Sequence, residues 1–182
     1  MHPHLAEVFA LLDESRVALR AAAATVAPEV RARRPGPDRW SVNEILEHLA
    51  LVERAFDATV GEAIAKARAA GLTDERETRA PLSADLRAVI RDRSERRHAP
   101  ATVIPTGTLD EAAAWAALDA ARQRFRETVS SADGLALGSV TADHRRWGAL
   151  TVYQWIEALA THEARHAEQI TEAAADFRSA GV

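Results

Sequence analysis

The 182 residues are 47% hydrophobic and 27% charged, a balance that fits one globular domain with a sizeable core and excludes a disordered or membrane-embedded chain. The formal charge of −4 offers no bulk attraction to nucleic acid or anionic lipid, and the lack of cysteine excludes disulfides, thiolate ligands and a cysteine nucleophile. The amino terminus, Met1-His2-Pro3-His4-Leu5-Ala6-Glu7, lacks a basic segment followed by an apolar one, so no secretory signal is expected and the cytoplasm is the expected location.

Alanine and arginine abound while β-branched runs are scarce, which favours helix nearly throughout. A first helix is predicted over about residues 4–26, with Leu5, Val8, Phe9, Leu12 and Leu19 on one face; Pro28, Pro35, Gly36 and Pro37 then break the chain. The second opens at Ser41-Val42-Asn43-Glu44, where Ser41 caps and Glu44 reaches back in a capping box. Its stripe of Ile45, Leu49, Val52, Phe56 and Val60 leads to an end near Gly71, with a bend expected at Gly61. Residues 72–107 read differently, as one short helix over 83–97 and a connector punctuated by Pro100 and Pro105. A third long helix is expected from Thr108, boxed with Glu111, carrying Leu118, Ala121, Phe125 and Val129 inward until Asp133-Gly134 stops it.

A loop through Gly138, Asp143 and His144 leads to the last helix, capped by Thr151 with Gln154 and striped by Val152, Trp155, Leu159, Ile170, Ala173 and Phe177. These four long helices imply an all-α fold, a four-helix bundle. The long connection between the second and third can return the chain to its starting end, giving an up-down-down-up order.

His162 and His166 fall in the middle of the last helix's apolar stripe. Burying two imidazoles in a packed seam costs free energy unless each finds a partner. Side chains at i and i+4 converge on one point, where a single ion satisfies both. His48, on the second helix beside Val52 and one turn from Glu44, is the candidate third ligand, since facing helices lie about 10 Å apart. Three neutral imidazoles leave a divalent ion's charge undiminished and a position open, the ligand set of a catalytic zinc; they also suit nickel, copper and iron. The competing reading makes each histidine a core residue bonded to a carbonyl or carboxylate. A pair in mid-stripe with a third on another inward face favours the metal.

His162-Glu163-Ala164-Arg165-His166 also spells H-E-x-x-H, the zinc-protease signature whose glutamate is the general base. The acids beyond it, Glu168, Glu172 and Asp176, lie on the same helix and cannot fold back as a third ligand. No sheet edge is expected to hold an extended peptide, so the protease reading is weak. Glu163, Glu44 and Tyr153 remain candidates for supporting the ligands from behind, though capping suits Glu44 and packing suits Tyr153.

The segments Trp40-Ser41-Val42-Asn43-Glu44-Ile45-Leu46-Glu47-His48-Leu49, Leu150-Thr151-Val152-Tyr153-Gln154-Trp155 and Thr161-His162-Glu163-Ala164-Arg165-His166-Ala167-Glu168-Gln169-Ile170 resemble the DinB-like superfamily. The resemblance covers nearly the whole chain, so residues 1–182 are expected to form a single domain of that type. It implies an up-down-down-up four-helix bundle and a divalent metal ion, zinc or nickel, on His48, His162 and His166. Members of known activity are similar to thiol transferases that use bacillithiol, mycothiol or glutathione, and include maleylpyruvate isomerases. A small-molecule thiol and an electrophilic substrate are therefore the expected partners, with neither nucleic acid nor membrane, and a homodimer through an outer helical face is expected. The alternatives are a metal-dependent hydrolase on the same site and a non-catalytic metal- or ligand-binding protein.

Two arginine groups, Arg31, Arg33, Arg34 and Arg39, then Arg91, Arg93, Arg96 and Arg97, could grip an acidic cofactor but read first as solvated surface, the second blunted by Asp92 and Glu95. Trp40 and Trp147 are expected to close the bundle ends or line a pocket mouth, and Trp115 and Trp155 to lie in the core. His2, His4, His98 and His144 lack paired spacing and are expected to be exposed.

Overall fold

The computed structural model describes residues 1–76, 79–95 and 98–181. In chain order it comprises α1 (Pro3–Ala24), α2 (Val42–Ala69), α3 (Ala84–Arg91), α4 (Glu111–Ser130), β1 (Thr141–His144), β2 (Gly148–Thr151) and α5 (Val152–Ser179). Helices α1, α2, α4 and α5 form a four-helix bundle, and α3 lies on the crossover against α5.

Local chemistry sets the helix starts. Ser41 accepts from Glu44 N–H while the Glu44 carboxylate takes the Ser41 N–H, and Thr151 and Gln154 repeat this box at α5. At α4 the expected box does not form. The helix starts at Glu111 behind Asp110, whose carboxylate accepts from Ala113 N–H at 2.8 Å, while Thr108 pairs with Thr106 instead. An aspartate cap two residues later serves equally well and adds negative charge at the positive helix end. The short helix is likewise shorter than expected, ending at Arg91, and Arg96 and Arg97 lie outside the described residues. The loop expected before α5 contains an antiparallel hairpin, with Thr141 opposite Thr151 and His144 opposite Gly148. Its φ of 72° at Gly148 is one that glycine adopts without strain.

Ion pairs and hydrogen bonds fix the helix directions. Asn43 at the start of α2 reaches Leu109 O before α4, and Arg68 at its end reaches Ser131 O, so α2 and α4 run parallel. Ser15 meets Glu163 and Glu7 is linked through Arg79 to Glu157, so α1 and α5 also run parallel. Asp13 with Arg126 and Arg20 with Asp119 make α1 antiparallel to α4. The order is up-down-down-up.

The apolar core comes in two parts. One gathers Phe9, Phe56, Phe125, Tyr153 and Trp155; the other Leu19, Ile45, Leu118, Ile170 and Phe177. Fully burying each such side chain contributes about 1.5–3 kcal/mol. Between the two parts lies a polar layer to which all four bundle helices contribute. Arg122 of α4 joins Glu53 of α2 and Glu163 of α5, and Arg16 of α1 also pairs with Glu163 at 2.7 Å. Ser15 donates to Glu163, and Arg122 Nη1 donates to Leu12 O at 3.0 Å. Burial raises the Glu53 carboxyl to about 6 against the pull of Arg122. Two arginines against two glutamates balance the layer's charge, which a buried cluster requires.

Candidate metal centre

At the level of the polar layer, α2 and α5 carry the three histidines singled out in the sequence. One ring nitrogen from each of His48, His162 and His166 lies within 4.8 Å of the others. Ring centroids stand 5.5 Å apart for His48–His162, 5.0 Å for His48–His166 and 4.6 Å for His162–His166. His48 and His166 are buried and His162 is half-buried. The antiparallel crossing of α2 and α5 brings a residue from the start of one beside residues from the middle of the other.

Two rings are held from behind. His48 Nδ1 lies 2.7 Å from the carbonyl oxygen of Val103, and His166 Nδ1 lies 2.9 Å from Gln169 Oε1. Both partners accept, so each Nδ1 carries the proton and each Nε2 presents a lone pair. His166 Nε2 and His162 Nε2 are 3.2 Å apart. Two nitrogens at about 2.0–2.1 Å from one tetrahedral ion stand about 3.3 Å apart, so the pair is spaced as one ion needs. His162 Nδ1 is buried and meets no acceptor among the described residues. Burial lowers all three imidazoles, His48 to about 4 and the other two well below the usual value, and the Arg165 guanidinium adds to the effect at each. Neutral rings with free lone pairs are what a metal ligand set requires. The donor set therefore fits a divalent ion, and the alternative in which each ring bonds a carbonyl or carboxylate accounts for one nitrogen of His48 and one of His166 but for none of His162.

The crossover is strapped over this end of α2. Glu47 accepts from Thr106 N–H at 2.9 Å and Gly107 N–H at 3.0 Å, which holds the segment carrying Val103 in place. Trp40 lies over His48 with centroids 4.7 Å apart, so it lines the site. Neither Val103 nor Glu47 was singled out in the sequence, because Val103 acts through its backbone carbonyl and Glu47 bonds backbone N–H groups, and main-chain partners leave no residue signature. Gln169 could have been found, standing at i+3 from His166 on one helix face.

The expected supporting acids lie elsewhere. The Glu163 carboxylate is engaged by Ser15, Arg16 and Arg122 in the polar layer, because one residue along a helix turns the side chain about 100° from His162. Glu44 caps α2 and pairs with Arg34, and Tyr153 is buried in the core. Among the described arginines of the two groups, Arg31 pairs with Glu111, Arg39 with Asp176, Arg91 with Glu168 and Arg93 with Glu172. Of the histidines expected to be exposed, His98 is, whereas His2, His4 and His144 are half-buried. Trp155 is core, and Trp115 is half-buried beneath Arg20. A cleft of about 800 Å³ between the end of α2 and residues 139–143 contains no histidine, and its Lys66 is paired with Glu62 at 2.6 Å. No helix among the described residues is long and apolar enough to cross a membrane.

Comparisons with known proteins agree with this fold. The chain is 26% identical over 141 residues to the uncharacterized protein YuaE of Bacillus subtilis (strain 168), covering 77% of this chain and 80% of that one. The crystal structure of TT2238, a four-helix bundle protein, matches 92% of this chain and 98% of its own with a TM-score of 0.59 at 23% identity, a likeness of fold. The sequence profile of the DinB superfamily matches residues 11–170, a span that contains all three histidines, and the chain belongs to that superfamily.

Proposed function

We propose that the protein is a divalent-metal-dependent transferase, with zinc or nickel held by His48, His162 and His166, that directs a small thiol of the bacillithiol, mycothiol or glutathione type at an electrophile. The observation that carries this reading is the convergence of three neutral imidazole nitrogens within 4.8 Å. A bound dication lowers the pKa of a coordinated thiol or water, so a nucleophile forms near neutral pH. The chain's own residues supply the surroundings. Val103 O and Gln169 orient two rings, and Trp40 shields a face of His48. The Arg165 charge, felt at all three rings, favours an anionic ligand such as a thiolate. The thiol comes from outside because the chain has no cysteine.

One observation weighs against hydrolysis on the same site: Glu163, the general base of an H-E-x-x-H enzyme, is engaged by two arginines in the polar layer. The test is consumption of an aryl chloride such as 1-chloro-2,4-dinitrobenzene, in which the thiol sulfur replaces chloride and the thiol proton leaves to solvent. Turnover that needs both added metal and added thiol, and is lost in His48→Ala, supports the proposal. Ester turnover without thiol identifies a hydrolase, and full metal loading with no reaction identifies a binding protein.

A further inference from the structure

The hairpin delivers two rings to the seam between α2 and α5. His144 stacks on Trp147 with centroids 3.7 Å apart and planes 12° from parallel. The same His144 ring meets Trp155 at 5.2 Å and Phe56 at 5.9 Å, and those two close on each other edge to face at 4.6 Å. Phe56 stands about two turns beyond His48 on α2, and Trp155 about two turns before His162 on α5. These rings thus continue the face that carries the three histidines.

Two donors belong to this group. His144 Nδ1 accepts from the Arg146 N–H at 3.2 Å, which leaves the proton on Nε2. The Trp147 indole N–H is shielded from solvent and finds no acceptor among the described residues. Buried donors are nearly always paired, so an unpaired one on the face that continues from the histidines points to an acceptor brought from outside the chain.

We infer that His144 and Trp147 form the ligand-contacting wall of the three-histidine site and select a flat, aromatic or unsaturated ligand that carries an oxygen acceptor. Flat rings gain from stacking and edge contacts with such a wall, and the two N–H groups orient the acceptor. The inference rests on the metal reading above and adds the ligand class.

The test uses the full-length protein loaded with cobalt(II), its visible bands titrated with benzohydroxamate and with acetohydroxamate, two chelators that share a headgroup and differ by the ring. The wild type is expected to bind benzohydroxamate about five to ten times more tightly. In Trp147→Leu that preference falls to about twofold or less, while in His144→Phe the ring preference persists and both chelators bind severalfold more weakly. Cobalt stoichiometry and circular dichroism should match wild type in both variants. An unchanged preference in Trp147→Leu, with cobalt bound and fold intact, overturns the inference alone. Absence of cobalt bands in the wild type overturns the metal reading and the inference with it.

Discussion

The Nδ1 atom of His48 lies 2.7 Å from the carbonyl oxygen of Val103, so a ring on α2 is held in position by backbone 55 residues further along the chain. Gln169 does the same for His166 from within one helix. Such partners fix tautomer and ring direction, and their loss typically lowers metal affinity 10–100-fold. Gln169→Ala should therefore weaken zinc binding by about that factor in a competition titration with a chromophoric chelator, with helicity unchanged.

The strap that carries Val103 depends on a glycine. Gly107 has φ of 71°, and a Cβ built there would stand 3.1 Å from Glu44 Oε1. Both the conformation and the contact oppose a side chain, so Gly107→Ala should cost about 1 kcal/mol or more, read as a lower urea midpoint at unchanged slope.

Removing an arginine from the buried ionic layer leaves two carboxylates to one cation. Arg122→Ala leaves Glu53 and Glu163, both almost fully buried, to share Arg16 alone, and should destabilise the fold by about 3 kcal/mol. Asp176→Ala breaks a surface pair with Arg39 and should cost less than about 1 kcal/mol. Urea unfolding of the two variants side by side checks the contrast.

Stability of the metal-free protein should fall on acidification. His48 is lowered by burial from 6.5 to about 4, so between those values the unfolded chain takes up a proton that the folded one refuses. The contribution is complete above pH 6.5 and is lost as pH falls toward 4, at up to about 1.4 kcal/mol per pH unit. Unfolding free energies at pH 5, 6 and 7 should show a steeper acid loss in wild type than in His48→Gln. Parallel slopes would count against a neutral buried ring.

The bundle was legible because its helices repeat apolar residues at helical spacing and two of them open with complete capping boxes, at Ser41 and Thr151. The histidine triad was legible because polar residues in mid-stripe demand a partner. Three features were not. The start of α4 lay between two acceptable caps, Thr108 and Asp110, and local sequence does not choose between them. The hairpin was hidden because Thr141, Ala142, Asp143 and His144 do not alternate apolar with polar; pairing with β2 sets the strand instead. Glu163 was misjudged because its motif predicts a role beside the histidines, whereas the bundle supplies Arg16 and Arg122 from other helices.

The most direct test is the metal content of purified wild type and His166→Ala after equilibration with zinc, measured by elemental analysis beside far-ultraviolet circular dichroism. The account predicts one equivalent in wild type, essentially none in the variant, and the same helicity in both. Zinc content that does not change on removing His166 would contradict it.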